Sequence, residues 1–119
     1  MARILVADDD AAMREIVMRT LQTSGHTVDA VGGGVEAIEA MQAAQERYAF
    51  LVTDVQMPGV DGLELARRVL AFDPKIKVIV MSGFLDQLAR VQEISGPRVA
   101  TITKPFSIEQ IRAVVASLA

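Results

Sequence analysis

The sequence contains no cysteine and no tryptophan, and its aromatic residues amount to 4% of 119. Without cysteine there can be no disulfide, no thiolate-held zinc or iron–sulfur centre and no thiol nucleophile. A single histidine, His26, excludes any multi-histidine metal site. Eight glycines and four prolines are too few for collagen-like or low-complexity chains. No apolar run approaches the ~18 residues of a spanning helix, and Ile4-Leu5-Val6-Ala7 is cut short by Asp8-Asp9-Asp10, too early for an export signal. Basic residues are scattered (Arg14, Arg19, Arg67-Arg68, Lys75, Lys77) and read as solvated faces. With a formal net charge of −3 and no basic stripe, nucleic acid is not an expected partner. Nor is a membrane, and a cytoplasmic location follows as an expectation.

A hydrophobic content of 51% against 23% charged residues is enough for a genuine core. The length suits one domain over residues 1–119, with no room for an output module. Short apolar segments rich in Val, Ile and Thr predict strands at Arg3–Ala7, Thr27–Val31, Ala49–Thr53, Lys77–Met81 and Val99–Thr103. Three of them are near-continuously apolar, as expected of strands covered on both faces. Helical spacing fills the intervals. Met13, Ile16, Val17 and Leu21 follow the i, i+3, i+4 rule between Asp10 as N-cap and Gly25 as stop. Val35, Ile38 and Met41 mark a second helix, and Leu65, Val69 and Leu70 a third. A weaker fourth runs from Leu85 to Ile94. Ser107 and Gln110 form a capping-box signature opening a last helix along Ile108, Ile111, Val115 and Leu118. Five βα units in succession predict an α/β, doubly wound domain: a five-stranded parallel sheet with helices on both faces.

Such folds bind ligands outside the carboxyl ends of their strands. There the first strand ends in Asp8-Asp9-Asp10, the third in Asp54, the fourth in Ser82 and the fifth in Lys104. The second ends blandly in Val31-Gly32. Two carboxylates ~5 Å apart repel by about 3 kcal/mol at an effective dielectric of about 20, so three of them store roughly 10 kcal/mol unless neutralised. The donors are all oxygen, which favours a hard divalent ion, Mg²⁺ above Zn²⁺ or copper. Metal, Lys104 and a hydroxyl around a carboxylate suggest phosphoryl chemistry with Asp54 attacking in line. Pro58-Gly59 and Asp61-Gly62 supply turn chemistry directly after it, and the backbone carbonyl of Gln56 is a further oxygen donor.

These residues make the chain resemble, over nearly its whole length, the receiver domain of bacterial two-component response regulators, the CheY-like family. The matching motifs are Asp8-Asp9, Asp54 within Thr-Asp-Val-Gln-Met-Pro-Gly-Val-Asp-Gly, Ser82 in Met-Ser-Gly, and Lys104-Pro105-Phe106. The resemblance implies the flavodoxin-like strand order 2-1-3-4-5 and a cis Lys104–Pro105 peptide. It implies that Asp54 accepts a phosphoryl group from a histidine kinase or histidine phosphotransfer protein. Asp9, Asp54 and the Gln56 carbonyl would bind Mg²⁺, with Asp8 acting largely through water. Ser82 and Lys104 would hold the phosphoryl group. Such a protein is a phosphoacceptor rather than an enzyme, a monomer or weak dimer, acting on a protein partner through the face of the fourth helix, fifth strand and last helix.

One position departs from the family pattern. Three residues before Lys104, where many receivers carry Tyr or Phe, stands Thr101. Phe84 is a substitute only if it does more than pack. Thr101 with Ser82-Gly83-Phe84 resembles the stand-alone protease-adaptor receivers, or receivers excised from hybrid histidine kinases. Of the remaining polar residues, Asp10 and Asp61 are expected at helix starts, Gly32-Gly33-Gly34 in a flexible loop and His26 as a loop filler. A flavodoxin-like mononucleotide binder shares the topology but would not place three aspartates where phosphate must sit. An aspartyl-nucleophile phosphatase would use Asp8 and Asp10, two residues apart, and leaves Asp54 unexplained.

Overall fold

The computed structural model describes residues 1–83, 90 and 92–119. Its elements follow the expected alternation: β1 (Arg3–Ala7), α1 (Ala11–Thr23), β2 (Thr27–Val31), α2 (Gly34–Ala43), β3 (Phe50–Asp54), α3 (Gly62–Phe72), β4 (Lys77–Ser82), β5 (Val99–Thr103) and α4 (Ile108–Leu118). The strands form one parallel sheet in the order β2-β1-β3-β4-β5. Phe84 and most of the helix expected from Leu85 to Ile94 lie outside the described residues. At its end, Gln92–Ile94 form a 3-10 turn.

The burial pattern explains why three strands are continuously apolar. β1, β3 and β4 are interior and covered on both faces, whereas β2 and β5 are edges with exposed positions. Alternation within the inner strands divides the core in two. Leu5, Leu51, Val78 and Val80 meet Ala37, Leu65 and Val69 on the α2–α3 side. Ile4, Val6, Val52, Ile79 and Met81 meet Val17, Leu21, Ile111 and Val115 on the α1–α4 side. Each such fully buried aliphatic side chain contributes about 1.5–3 kcal/mol, so the two layers hold the sheet rigid from both faces.

Three apolar residues expected to help build helix stripes are half exposed instead: Ile16, Val35 and Ile108. In α1 the buried set is Val17, Thr20 and Leu21. Thr20 can replace Ile16 because its hydroxyl donates to the Ile16 carbonyl at 2.8 Å, which satisfies the buried oxygen. Gly34 is not part of a flexible loop. It opens α2, is buried, and packs so closely that a Cβ there would come within 2.4 Å of the Val60 carbonyl oxygen. Glycine is thus required by contact between α2 and the segment after β3, not by loop mobility.

Candidate functional site

The strands run in parallel and nearly in register, so their carboxyl ends finish at one level. Ala7 pairs with Thr53, Asp54 with Met81, and Ser82 with Thr103. The next residue of each chain segment therefore opens into the same crevice. Asp8, Asp9 and Asp54 converge there, each offering a carboxylate oxygen within 4.8 Å of the others.

Asp8 is fully buried. Its Oδ1 accepts the Asp10 N–H at 2.9 Å, and its carbonyl accepts Arg14 Nη1 at 2.8 Å. Arg14 is therefore a clamp on the strand exit rather than a solvated charge, a role its place in the sequence does not reveal. Asp8 Oδ2 is buried with no hydrogen-bond partner, and the Lys104 ammonium is 3.9 Å away. Burial pushes the Asp8 carboxyl above the usual range; the Asp10 N–H and Lys104 oppose this, and the charges of Asp54 and Asp10 reinforce it.

Asp54 ends β3 with its side chain 13% exposed, open enough for reaction and enclosed enough to be oriented. Its Oδ1 accepts the Val55 N–H at 3.0 Å and faces Lys104 Nζ at 3.2 Å. Below it, α3 begins so near that a Cβ on Gly62 would sit 1.8 Å from the Asp54 carbonyl oxygen. Gly62 N–H also donates to the Val55 carbonyl at 2.8 Å. Gly62 is therefore a clearance residue, and Asp61 is the N-cap of α3, accepting the Glu64 N–H at 2.9 Å. Gly59 has φ +76°, the left-handed turn geometry expected of Pro58-Gly59. Buried Met57 secures the loop inward.

Ser82 closes β4 and is buried. Its carbonyl accepts the Lys104 N–H at 2.7 Å, which ties the exits of β4 and β5 together. The Lys104–Pro105 peptide is cis. Gln56 is exposed and, with Asp9, lines a recess beside the acidic cluster. Asp10 caps α1 by accepting the Ala12 and Met13 N–H groups. His26 lies away from the crevice, where its Nδ1 accepts the Ala2 N–H at 3.0 Å. Thr101 is exposed on edge strand β5, so no ring fills the position before the lysine.

The donor set suits a hard divalent cation. It offers oxygen ligands alone, and one of them, Asp8 Oδ2, is a buried acceptor without a hydrogen bond. One lysine cannot balance three carboxylates, so a cation there relieves repulsion as well as coordinating.

This geometry defines a class, and comparison with known proteins assigns it. The response regulator receiver domain family matches residues 4–116, and the chain belongs to that family of two-component signalling domains. The response regulator receiver protein CpdR of Brucella abortus (strain 2308) is 37% identical over 112 residues, covering 93% of this chain and 91% of the relative. The response regulator MprA of Mycobacterium ulcerans (strain Agy99) is 37% identical over 111 residues, covering 93% of this chain but 47% of the longer relative. Among solved structures, the response regulator TrrA from Thermotoga maritima, in complex with Mg²⁺–BeF, superposes with a TM-score of 0.88 at 26% identity over 100% of both chains. Among the described residues no helix is long and apolar enough to cross a membrane.

Proposed function

We propose that this chain is the phosphoryl-accepting switch of a two-component phosphorelay, with Asp54 as acceptor. The observation that carries the reading is the convergence of Asp8, Asp9 and Asp54 beside one lysine, with a buried carboxylate oxygen that has no hydrogen-bond partner. An Asp54 oxygen attacks phosphorus as the bond to the donor's histidine nitrogen breaks, and the imidazole leaves with the electron pair. Lys104 pairs with the arriving phosphoryl oxygens, and Ser82 donates its hydroxyl to one of them. Asp9, Asp54 and the Gln56 carbonyl would hold magnesium, with Asp8 acting largely through water, and the ion would supply charge that offsets the acidic cluster and the phosphoryl oxygens. The chain labels itself and turns over no other substrate.

The phosphatase alternative requires Asp8 and Asp10 to work as a nucleophile and acid pair. Asp8 is sealed from solvent, and Asp10 is committed to the α1 cap, so neither is placed to meet a substrate. The match to CpdR, a response regulator receiver protein covered over 91% of its length, supports a receiver that acts as a single domain. Its output is a protein partner, protease machinery being one candidate, met through β5, α4 and the segment before them. No aromatic switch operates at Thr101, so phosphorylation reaches that face by another route.

Intact mass spectrometry after incubation with acetyl phosphate and Mg²⁺ tests the reading. The wild-type chain gains one phosphoryl group, Asp54→Asn gains none, and chelation of Mg²⁺ abolishes the gain. Equal labelling of Asp54→Asn would move the acceptor to Asp8 or Asp9.

A further inference from the structure

A recess of about 330 Å³ opens beside the acidic cluster, lined by Asp9, Gln56, Met57, Pro58, Asp61 and Arg90. Its cation is Arg90. The guanidinium donates to Asp61 Oδ2 at 2.8 Å, and Asp61 is held in place by its role as the α3 cap. Burial alone would push the Asp61 carboxyl up, but the Glu64 N–H and Arg90 together hold it below the usual range, so it stays charged and keeps the arginine anchored. Arg90 is half exposed, and among the described residues Asp61 is its one hydrogen-bond partner. Its remaining N–H donors are therefore open to a ligand.

We infer that Arg90 determines donor specificity for phosphorylation: it receives the carboxylate that departs when the phosphoryl group arrives from a small acyl phosphate. The inference rests on Asp54 being the acceptor. In that transfer the phosphorus–oxygen bond to the acyl group breaks, its electron pair leaves on the acyl oxygen, and a new bond joins phosphorus to the Asp54 oxygen. No proton moves. The product leaving the site is a carboxylate, generated beside Asp54 where Asp9 and Asp61 already line the recess. Lys104 sits with Asp54 and Asp8 inside the crevice and Arg14 is held on the Asp8 carbonyl, so the positive charge that lines the recess is the Arg90 guanidinium. A guanidinium binds carboxylates well, and Arg90 already does so with Asp61. A phosphoramidate releases neutral ammonia and a phosphohistidine neutral imidazole, so neither gains from this contact.

The test labels the full chain with acetyl phosphate, carbamoyl phosphate and phosphoramidate at one Mg²⁺ concentration and compares initial rates. Wild-type labelling by phosphoramidate, lost in Asp54→Asn, checks the underlying reading independently. In Arg90→Gln the ratio of acyl-phosphate to phosphoramidate rates falls about fivefold, the size expected of a charge-assisted hydrogen bond discounted for solvent screening. Arg90→Lys restores part of that ratio, and added salt narrows the gap between wild type and Arg90→Gln. If Arg90→Gln changes all three rates by the same factor, or none, the assignment fails even though Asp54 remains the acceptor.

Discussion

The two ends of the sheet differ in how far their charges are offset by partners. At the amino ends, charged groups are mostly met by partners, Arg3 Nε being a buried exception. Asp29, half exposed on β2, receives the Tyr48 hydroxyl at 2.6 Å and Arg3, the first residue of β1, at 3.2 Å. Asp73 accepts the Lys75 N–H at 2.8 Å and lies 3.5 Å from Arg47. Arg98 donates to three carbonyls, those of Leu70, Asp73 and Ile76, and so fastens the end of α3 to the start of β4. At the carboxyl ends, Asp8 and Asp54 share one lysine with Asp9 clustered beside them, and a buried oxygen lacks a hydrogen bond. The satisfied end holds the fold together. The unsatisfied end retains an electrostatic cost that a metal and a phosphoryl group can relieve.

Breaking the satisfied end should cost the most. Arg98→Ala leaves three carbonyls short of a donor and is expected to lower stability by about 2–3 kcal/mol in urea unfolding, with labelling of Asp54 retained. The opposite sign is expected at the other end. Asp8→Asn keeps an acceptor for the Asp10 N–H but removes a buried charge, raising metal-free stability by about 1–2 kcal/mol while weakening Mg²⁺ binding at least about tenfold. Destabilisation by Asp8→Asn would mean that the carboxylate is already satisfied. The smallest effect concerns His26. Burial, then the positive charge of the Met1 amino group, hold its pKa below the ordinary value, and Nδ1 must stay unprotonated to accept the Ala2 N–H. The folded state thus binds fewer protons than the unfolded chain. His26 stabilisation is complete above about pH 6.5 and declines as the pH falls through that value. Comparing urea midpoints at pH 7 and pH 5, His26→Gln should show a shallower loss than wild type.

Much of this contrast was legible in the sequence, for a physical reason. The inner strands are buried on both faces, so they read as unbroken apolar runs, and their ends are marked by the first charged or polar residue. β1, β2 and β5 match the expected spans, while β3 begins one residue later than Ala49 and β4 extends to Ser82. Asp8, Asp9, Asp54, Ser82 and Lys104 were visible because polar side chains after such runs have nowhere else to go. The Asp10 and Ser107 caps were visible because they act on neighbouring residues. What stayed hidden depends on distant contacts. Gly62 looked like a turn residue until the Asp54 carbonyl was found against it, and Gly34 looked like loop until Val60 was. Arg14 reads as solvated surface, and Arg90 and Arg98 carry no local signal, because long side chains find acceptors that no local pattern records.

The central claim is that the deficient end of the sheet exists to carry a phosphoryl group on one carboxylate. Reduction of the freshly labelled chain with borohydride, followed by peptide sequencing, converts an aspartyl phosphate to homoserine and reports its position directly. Homoserine at residue 54, formed only when Mg²⁺ is present, is the expected result; homoserine at residue 8 or 9, or at none, would contradict it.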